Sequence, residues 1–122
     1  MAGLFDSLRG AFGGARAYAE IDPPALKAKL AAGEKPFLLD VRTPAEFAEG
    51  HIPGTSNVPL DQLPARLGEL RGHSADEIVV VCRSGARSAR AAELMAQSGF
   101  SKLTNLAGGT MGWAASGFPI DR

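Results

Sequence analysis

Only one cysteine, Cys82, occurs in the 122 residues, which excludes an intramolecular disulfide and any CxxC redox or zinc site. A reactive thiol here has no resolving partner in the chain, so whatever it takes up must pass to another molecule. Histidine is scarce too. His51 and His73 stand apart from each other and from the thiol, so no metal-ligand spacing arises, and neither a metal nor a cofactor is expected. A charge excess is missing as well: thirteen Lys/Arg cancel thirteen Asp/Glu, which removes the usual footprint of a nucleic-acid or anionic-membrane binder. No run approaches the ~18 apolar residues of a transmembrane helix. Ala15-Arg16-Ala17 has the outline of a signal-peptidase site, but Asp6 and Arg9 interrupt the segment before it. The expected location is therefore the cytoplasm. Repeats are absent, and the one biased stretch is a Gly/Ala-rich start.

What is present is the composition of one globular domain, 45% hydrophobic and 21% charged. Its centre is the stretch IVVVCRSGARSARAAELMAQSGF, residues 78–100. Ile78 to Val81 are β-branched and apolar, a run suited to a strand buried on both faces. Cys82 follows at once, then a short Arg/Ser/Gly loop. Ala89, Ala92, Leu94 and Met95 then fall in helical register up to Gly99, a natural C′ residue. A thiol between strand end and helix start lies where orphan backbone N–H groups converge. Arg83 and Arg87 add permanent positive charge. Together these predict a thiol pKa below its reference of about 8.5, hence a reactive thiolate. The alternative is an inert core cysteine, against which the two nearby arginines stand.

Strands alternate with helices along the rest of the chain. Tyr18–Ile21 reads as a strand; Asp22 caps a helix with Pro23 at N1 that stops at Gly33. Phe37–Val41 is a second strand, and Thr43-Pro44-Ala45-Glu46 is a capping box opening a short helix to Gly50. A brief strand over 56–59 precedes a helix over 61–70 with Asp61 as its cap. Lys102–Leu106 is the last strand and Thr110–Ser116 the last helix. This alternation argues for an α/β parallel sheet with helices on both faces, its ligand site outside the carboxyl ends of the strands. Residues 1–17 form an N-terminal extension. Within it, residues 3–12 place Leu4, Phe5, Leu8 and Phe12 on one helical face, which either docks on the domain, frays or meets a partner.

Cys82-Arg83-Ser84-Gly85-Ala86-Arg87-Ser88 resembles the active-site loop of the rhodanese (sulfurtransferase) domains. Further segments agree in the same order: Asp40-Val41-Arg42 with Glu46-Phe47; Gly50-His51-Ile52-Pro53-Gly54; and Gly108-Gly109, Trp113 and Gly117-Phe118-Pro119-Ile120. The likeness runs from about Tyr18 to Ile120, making 18–122 a rhodanese-like domain. It implies a five-stranded, mostly parallel sheet. It also implies a cysteine that takes sulfane sulfur from a small anion such as thiosulfate, becomes a persulfide, and yields the sulfur to a thiol or cyanide. A monomer is expected.

The resemblance makes Cys82 the nucleophile and residues 83–88 the substrate-binding loop. Gly85 supplies a backbone turn with φ > 0. Ser84 and Ser88 offer hydroxyls, though Ser88 fits equally as a plain helix-start residue. Arg83 and Arg87 can steer a doubly charged donor, or Arg87 can pair with a carboxylate to brace the loop. Asp40 and Arg42 match a D-x-R element at the rim, with a structural ion pair the favoured role. Glu46 reads as a cap, His51 as structural and Trp113 as core. Cysteine phosphatases and arsenate reductases are the enzymatic rivals, but their signature holds five residues between Cys and Arg. Here there are four, a narrower cradle than phosphate needs. A regulatory or partner-binding module is the non-enzymatic alternative.

Overall fold

The computed structural model describes residues 17–122. The helical face expected over residues 3–12, with the rest of the extension as far as Arg16, lies outside them.

Five strands, β1 (Ala19–Ile21), β2 (Phe37–Asp40), β3 (Ser56–Asn57), β4 (Glu77–Val81) and β5 (Lys102–Leu106), form one sheet in the order β1-β5-β4-β2-β3. Every pairing between them is parallel, so the sheet is wholly rather than mostly so. The helices are α1 (Pro23–Ala31), α2 (Pro44–Glu49), α3 (Leu63–Leu70), α4 (Ala86–Gln97) and α5 (Gly109–Ala115).

The central strand β4 explains the layering. Ile78, Val79, Val80 and Val81 are all fully buried. Ile78 and Val80 join Leu39, Leu63, Leu70 and Met95 in a core beneath α3 and α4. Val79 and Val81 join Leu26, Leu38, Leu106 and Trp113 on the other face, beneath α1 and α5. Successive side chains on a strand point to opposite faces, so a strand covered on both sides must be apolar at every position. Cys82, one step further, belongs to the Ile78 and Val80 cluster.

Local signals set most helix starts. The Asp22 carboxylate accepts the Ala25 N–H at 2.9 Å. At α2 the Thr43 hydroxyl accepts the Glu46 N–H at 3.2 Å while the Glu46 carboxylate accepts the Thr43 N–H at 3.0 Å. The Asp61 cap does not form. Leu60–Gln62 make a 3-10 turn, and α3 begins at Leu63 without a side-chain cap. Asp61 therefore sits inside the preceding turn, one residue before the N-cap position, which Gln62 occupies. Pro64 in the first turn of α3 carries no N–H in need of a partner.

Among the described residues, five polar or charged side chains are buried: Asp40, Arg42, Ser88, Asn105 and Thr110. All lie at the carboxyl ends of β2 and β5, or just beyond β2, or in the first turns of α4 and α5. Burying such groups is costly unless they satisfy one another, so this edge marks where apolar packing gives way to a site. Asp40 is not at a rim, as expected, but 0% exposed. The Arg42 guanidinium donates from Nε at 3.0 Å to each Asp40 oxygen, and from a terminal nitrogen at 2.8 Å to Oδ2 and at 2.8 Å to the Gly50 carbonyl. The pair ties the exit of β2 to the end of α2. Among the described residues, no helix is long and apolar enough to cross a membrane.

Removing one member of a buried pair leaves the other charge uncompensated, at about 3–5 kcal/mol. Asp40→Asn is therefore expected to lower stability by about 3 kcal/mol, read as an earlier urea midpoint at unchanged slope. A loss below ~0.5 kcal/mol, the range of ordinary surface substitutions, would show that the pair braces nothing.

Candidate active site

Strand β4 ends at Val81 and delivers Cys82 to the carboxyl edge of the sheet, 1% exposed. The loop then reverses at Gly85, whose φ of 114° lies in the region disfavoured for a residue with a Cβ. That turn brings the Gly85 N–H to 3.0 Å from Cys82 Sγ. Helix α4 starts immediately afterwards and places Ser88 in its first turn, where the hydroxyl reaches Sγ at 3.3 Å. Ser88 is thus both a helix-start residue and a partner of the thiol.

Two effects compete at the sulfur. Burial is the larger single influence and pushes the thiol pKa up. Against it stand the Ser88 hydroxyl and the backbone N–H groups of Ser88, Gly85 and Ser84, and their sum holds the thiol below its ordinary value. The expected direction is met, but Arg83 and Arg87 do not lead it. The Arg87 guanidinium is bound in a fork to Glu46, at 2.8 and 2.9 Å. A cation with its own counter-ion contributes little net field, whereas directed donors near 3 Å act fully in a buried site. Arg83 is exposed, and its carbonyl accepts the Met111 N–H at 3.0 Å. Ala86 opens α4 and is exposed, as is Ser84.

Beneath the loop lies α5. The Thr110 N–H donates to the Cys82 carbonyl at 2.8 Å. A Cβ on Gly109 would sit 2.3 Å from that same carbonyl oxygen and 2.5 Å from the oxygen of Arg83. Backbone meets backbone here, so nothing flexible can yield; glycine is required by space.

Asn105 was not singled out from the sequence, nor was Glu20. Asn105 is 3% exposed on β5. Its Oδ1 accepts from the Ser88 hydroxyl, and its Nδ2 donates to the Gly85 carbonyl at 3.2 Å and to the Glu20 carboxylate at 3.3 Å. A signal was available: an amide next to Leu106 and two positions after Leu103, on a strand whose leucines are buried. His51 stacks on Phe47 with ring centroids 3.7 Å apart and bonds the Phe47 carbonyl through Nδ1, a structural role. Trp113 is core, its indole N–H donating to the Pro119 carbonyl at 2.7 Å.

Two recesses flank the loop. One of about 230 Å³ is lined by Arg42, Arg83, Thr110 and Met111 among others; another of about 620 Å³ is more apolar and includes Val41, Leu60, Pro64 and Arg87. A roomier one of about 980 Å³ opens beside Tyr18, Glu77 and Lys102 at the amino ends of the strands, far from the thiol.

The rhodanese-like domain family matches residues 22–116, well over half of the chain. The chain belongs to the rhodanese-like domain family. A sulfurtransferase of Allochromatium vinosum is 42% identical over 101 residues, covering 83% of this chain and 92% of that one. The chloroplastic thiosulfate sulfurtransferase 16 of Arabidopsis thaliana is 37% identical over 100 residues, covering 74% and 82%. The crystal structure of a rhodanese-related protein from Thermoplasma volcanium matches with a TM-score of 0.76 at 30% identity, over 85% of this chain and 98% of that one. The rhodanese fold thus accounts for the sheet, and the loop sits where the four sequence motifs meet.

Removing the Ser88 hydroxyl takes away one donor to the thiolate while burial stays. Ser88→Ala should therefore shift the midpoint of thiol alkylation against pH upward; an unchanged midpoint would mean the hydroxyl does not reach the sulfur in solution. Glu46 carries a second pH signature. The Arg87 fork chiefly, opposed by partial burial and aided by the Thr43 N–H, holds its carboxyl at about 2 against an ordinary 4.5. A depressed carboxyl stabilises the fold above its unfolded value and loses that contribution as pH falls through the folded one. Stability should decline between pH 4.5 and about 2, and Glu46→Gln should flatten that part of the melting-temperature profile.

Proposed function

We propose that the chain is a sulfurtransferase that carries sulfane sulfur on Cys82 from thiosulfate, or a related small anion, to a thiol or cyanide acceptor. The observation that supports this most is the buried Sγ with directed donors from Gly85, Ser84 and Ser88 around it. Such donors stabilise negative charge without reorganising. In the donor step the thiolate attacks the outer sulfur of thiosulfate, the sulfur–sulfur bond breaks, and its electron pair leaves on sulfite. The persulfide that remains carries one negative charge on its outer atom. In the acceptor step a thiolate or cyanide attacks that atom and Sγ departs as thiolate, restoring the enzyme. With no second cysteine in the chain, the sulfur leaves to another molecule.

Two features disfavour phosphate chemistry at the same loop. Four residues separate Cys82 from Arg87, and the Arg87 fork is already engaged with Glu46. A phosphoryl group needs a donor at about 2.7–3.1 Å for each oxygen. The exposed Arg83 beside the smaller recess supports recognition of an anionic donor. The names of the relatives in Allochromatium vinosum and Arabidopsis thaliana support the same reading.

Mass spectrometry after brief thiosulfate treatment tests it. The expected result is a gain of one sulfur atom on Cys82, removed by added thiol. Cys82→Ser should fold normally, gain no sulfur and lose thiosulfate:cyanide transfer to the uncatalysed background, because an alcohol cannot form the persulfide. A clean native thiol would favour a partner-binding module, and efficient aryl-phosphate turnover would favour a phosphatase.

A further inference from the structure

Ser88 has one hydroxyl hydrogen, and three acceptors compete for it. They are Cys82 Sγ at 3.3 Å, the Gly85 carbonyl at 3.2 Å, and Asn105 Oδ1 in closer contact still. The orientation of the Asn105 amide follows from its other side. There Nδ2 faces the Gly85 carbonyl and the Glu20 carboxylate, at 3.2 and 3.3 Å, and a flipped amide would set oxygen against oxygen. Ser88 is 0% and Asn105 3% exposed, so a partner lost here is not cheaply replaced.

The strongest acceptor among the three changes with the state of the sulfur. A thiolate accepts a charge-assisted hydrogen bond. A neutral Sγ, whether thiol or the inner sulfur of a persulfide, is a weak acceptor. We infer that Asn105 is a positioning residue that holds the Ser88 hydrogen while Cys82 Sγ is neutral and yields it when charge develops on that sulfur. In the acceptor step the bond between Sγ and the outer sulfur breaks and its electron pair stays on Sγ. The Ser88 hydrogen turns toward that atom as the charge arrives, and it remains bonded to Oγ throughout. Asn105 meanwhile keeps the neutral state satisfied, so no buried hydroxyl is orphaned between turnovers.

The charged groups around the sulfur leave this exchange local. Glu46 and Arg87 pair with each other, as do Asp40 and Arg42. Arg83 is exposed on the loop, and Glu20 meets Asn105 rather than Ser88.

The inference rests on Cys82 as the sulfur carrier, but its test reads only ionisation. Iodoacetamide alkylation against pH is measured on the native protein, Asn105→Leu, Ser88→Ala and the double variant. Asn105→Leu removes the closer of the two competing acceptors and should move the midpoint down, opposite to Ser88→Ala. The double variant should match Ser88→Ala, since Asn105 acts through that hydroxyl. An upward shift in Asn105→Leu, or additive effects, would overturn the assignment. A second readout needs no variant: the Asn105 side-chain amide resonances of the native protein should titrate with the thiol midpoint, and an unmoved signal would overturn it equally. Absence of the thiosulfate adduct, with these titrations intact, would remove sulfur transfer and leave the Asn105 exchange standing.

Discussion

The loop that holds Cys82 rests on the backbone of α5, and the contact is possible only because position 109 is glycine. A Cβ there would penetrate the Cys82 and Arg83 carbonyl oxygens, both of which instead accept N–H groups from the first turn of α5. Held from below, the loop cannot widen. Its N–H groups stay aimed at the sulfur, and Gly85 completes the reversal from above. The geometry of the thiol is thus a consequence of two backbones packed without side chains between them.

That seating decides the electrostatics. A cysteine 1% exposed would ordinarily be held as a neutral thiol by desolvation, the larger single influence here. Several directed donors reverse the outcome because each acts in a buried setting at short range. The arginines serve other ends. Arg87 braces α4 against α2 through Glu46, which is at once the N3 residue of a capping box and the counter-ion. Arg83 stays outside at the recess beside the loop.

The sheet supplies rigidity for this arrangement at little cost in specificity elsewhere. Its central strand is apolar on both faces, and the buried polar groups gather at one edge rather than scattering through the core. Asp40 with Arg42, and Ser88 with Asn105, satisfy one another there. Thr110 Oγ1 is the buried side-chain atom left without a partner among the described residues, and it too lies beside the loop. A domain that concentrates unfavourable burial at one place makes that place chemically distinct.

The features legible in the order of residues alone are local in origin. The doubly buried strand at 78–81, the capping box at Thr43, the Asp22 cap and the glycine turn at 85 all depend on neighbours within a few positions. Four short motifs in order were enough to point to the family. Tertiary structure decided whatever joins distant positions. Glu46 meets Arg87 across 41 residues and Ser88 meets Asn105 across 17, contacts that no periodicity encodes. Asn105 faces Ser88 because β5 pairs with β4 in a register that sets Val80 beside it. Asp61 failed as a cap because a 3-10 turn over Leu60–Gln62 takes it up on the way from β3 to α3 and leaves Gln62 at the N-cap position. The sign of the thiol shift and the backbone N–H share of its cause were legible from the strand–loop–helix order; the Ser88 hydroxyl's part and the engagement of Arg87 by Glu46 were not, since those required knowing which side chains meet across the fold.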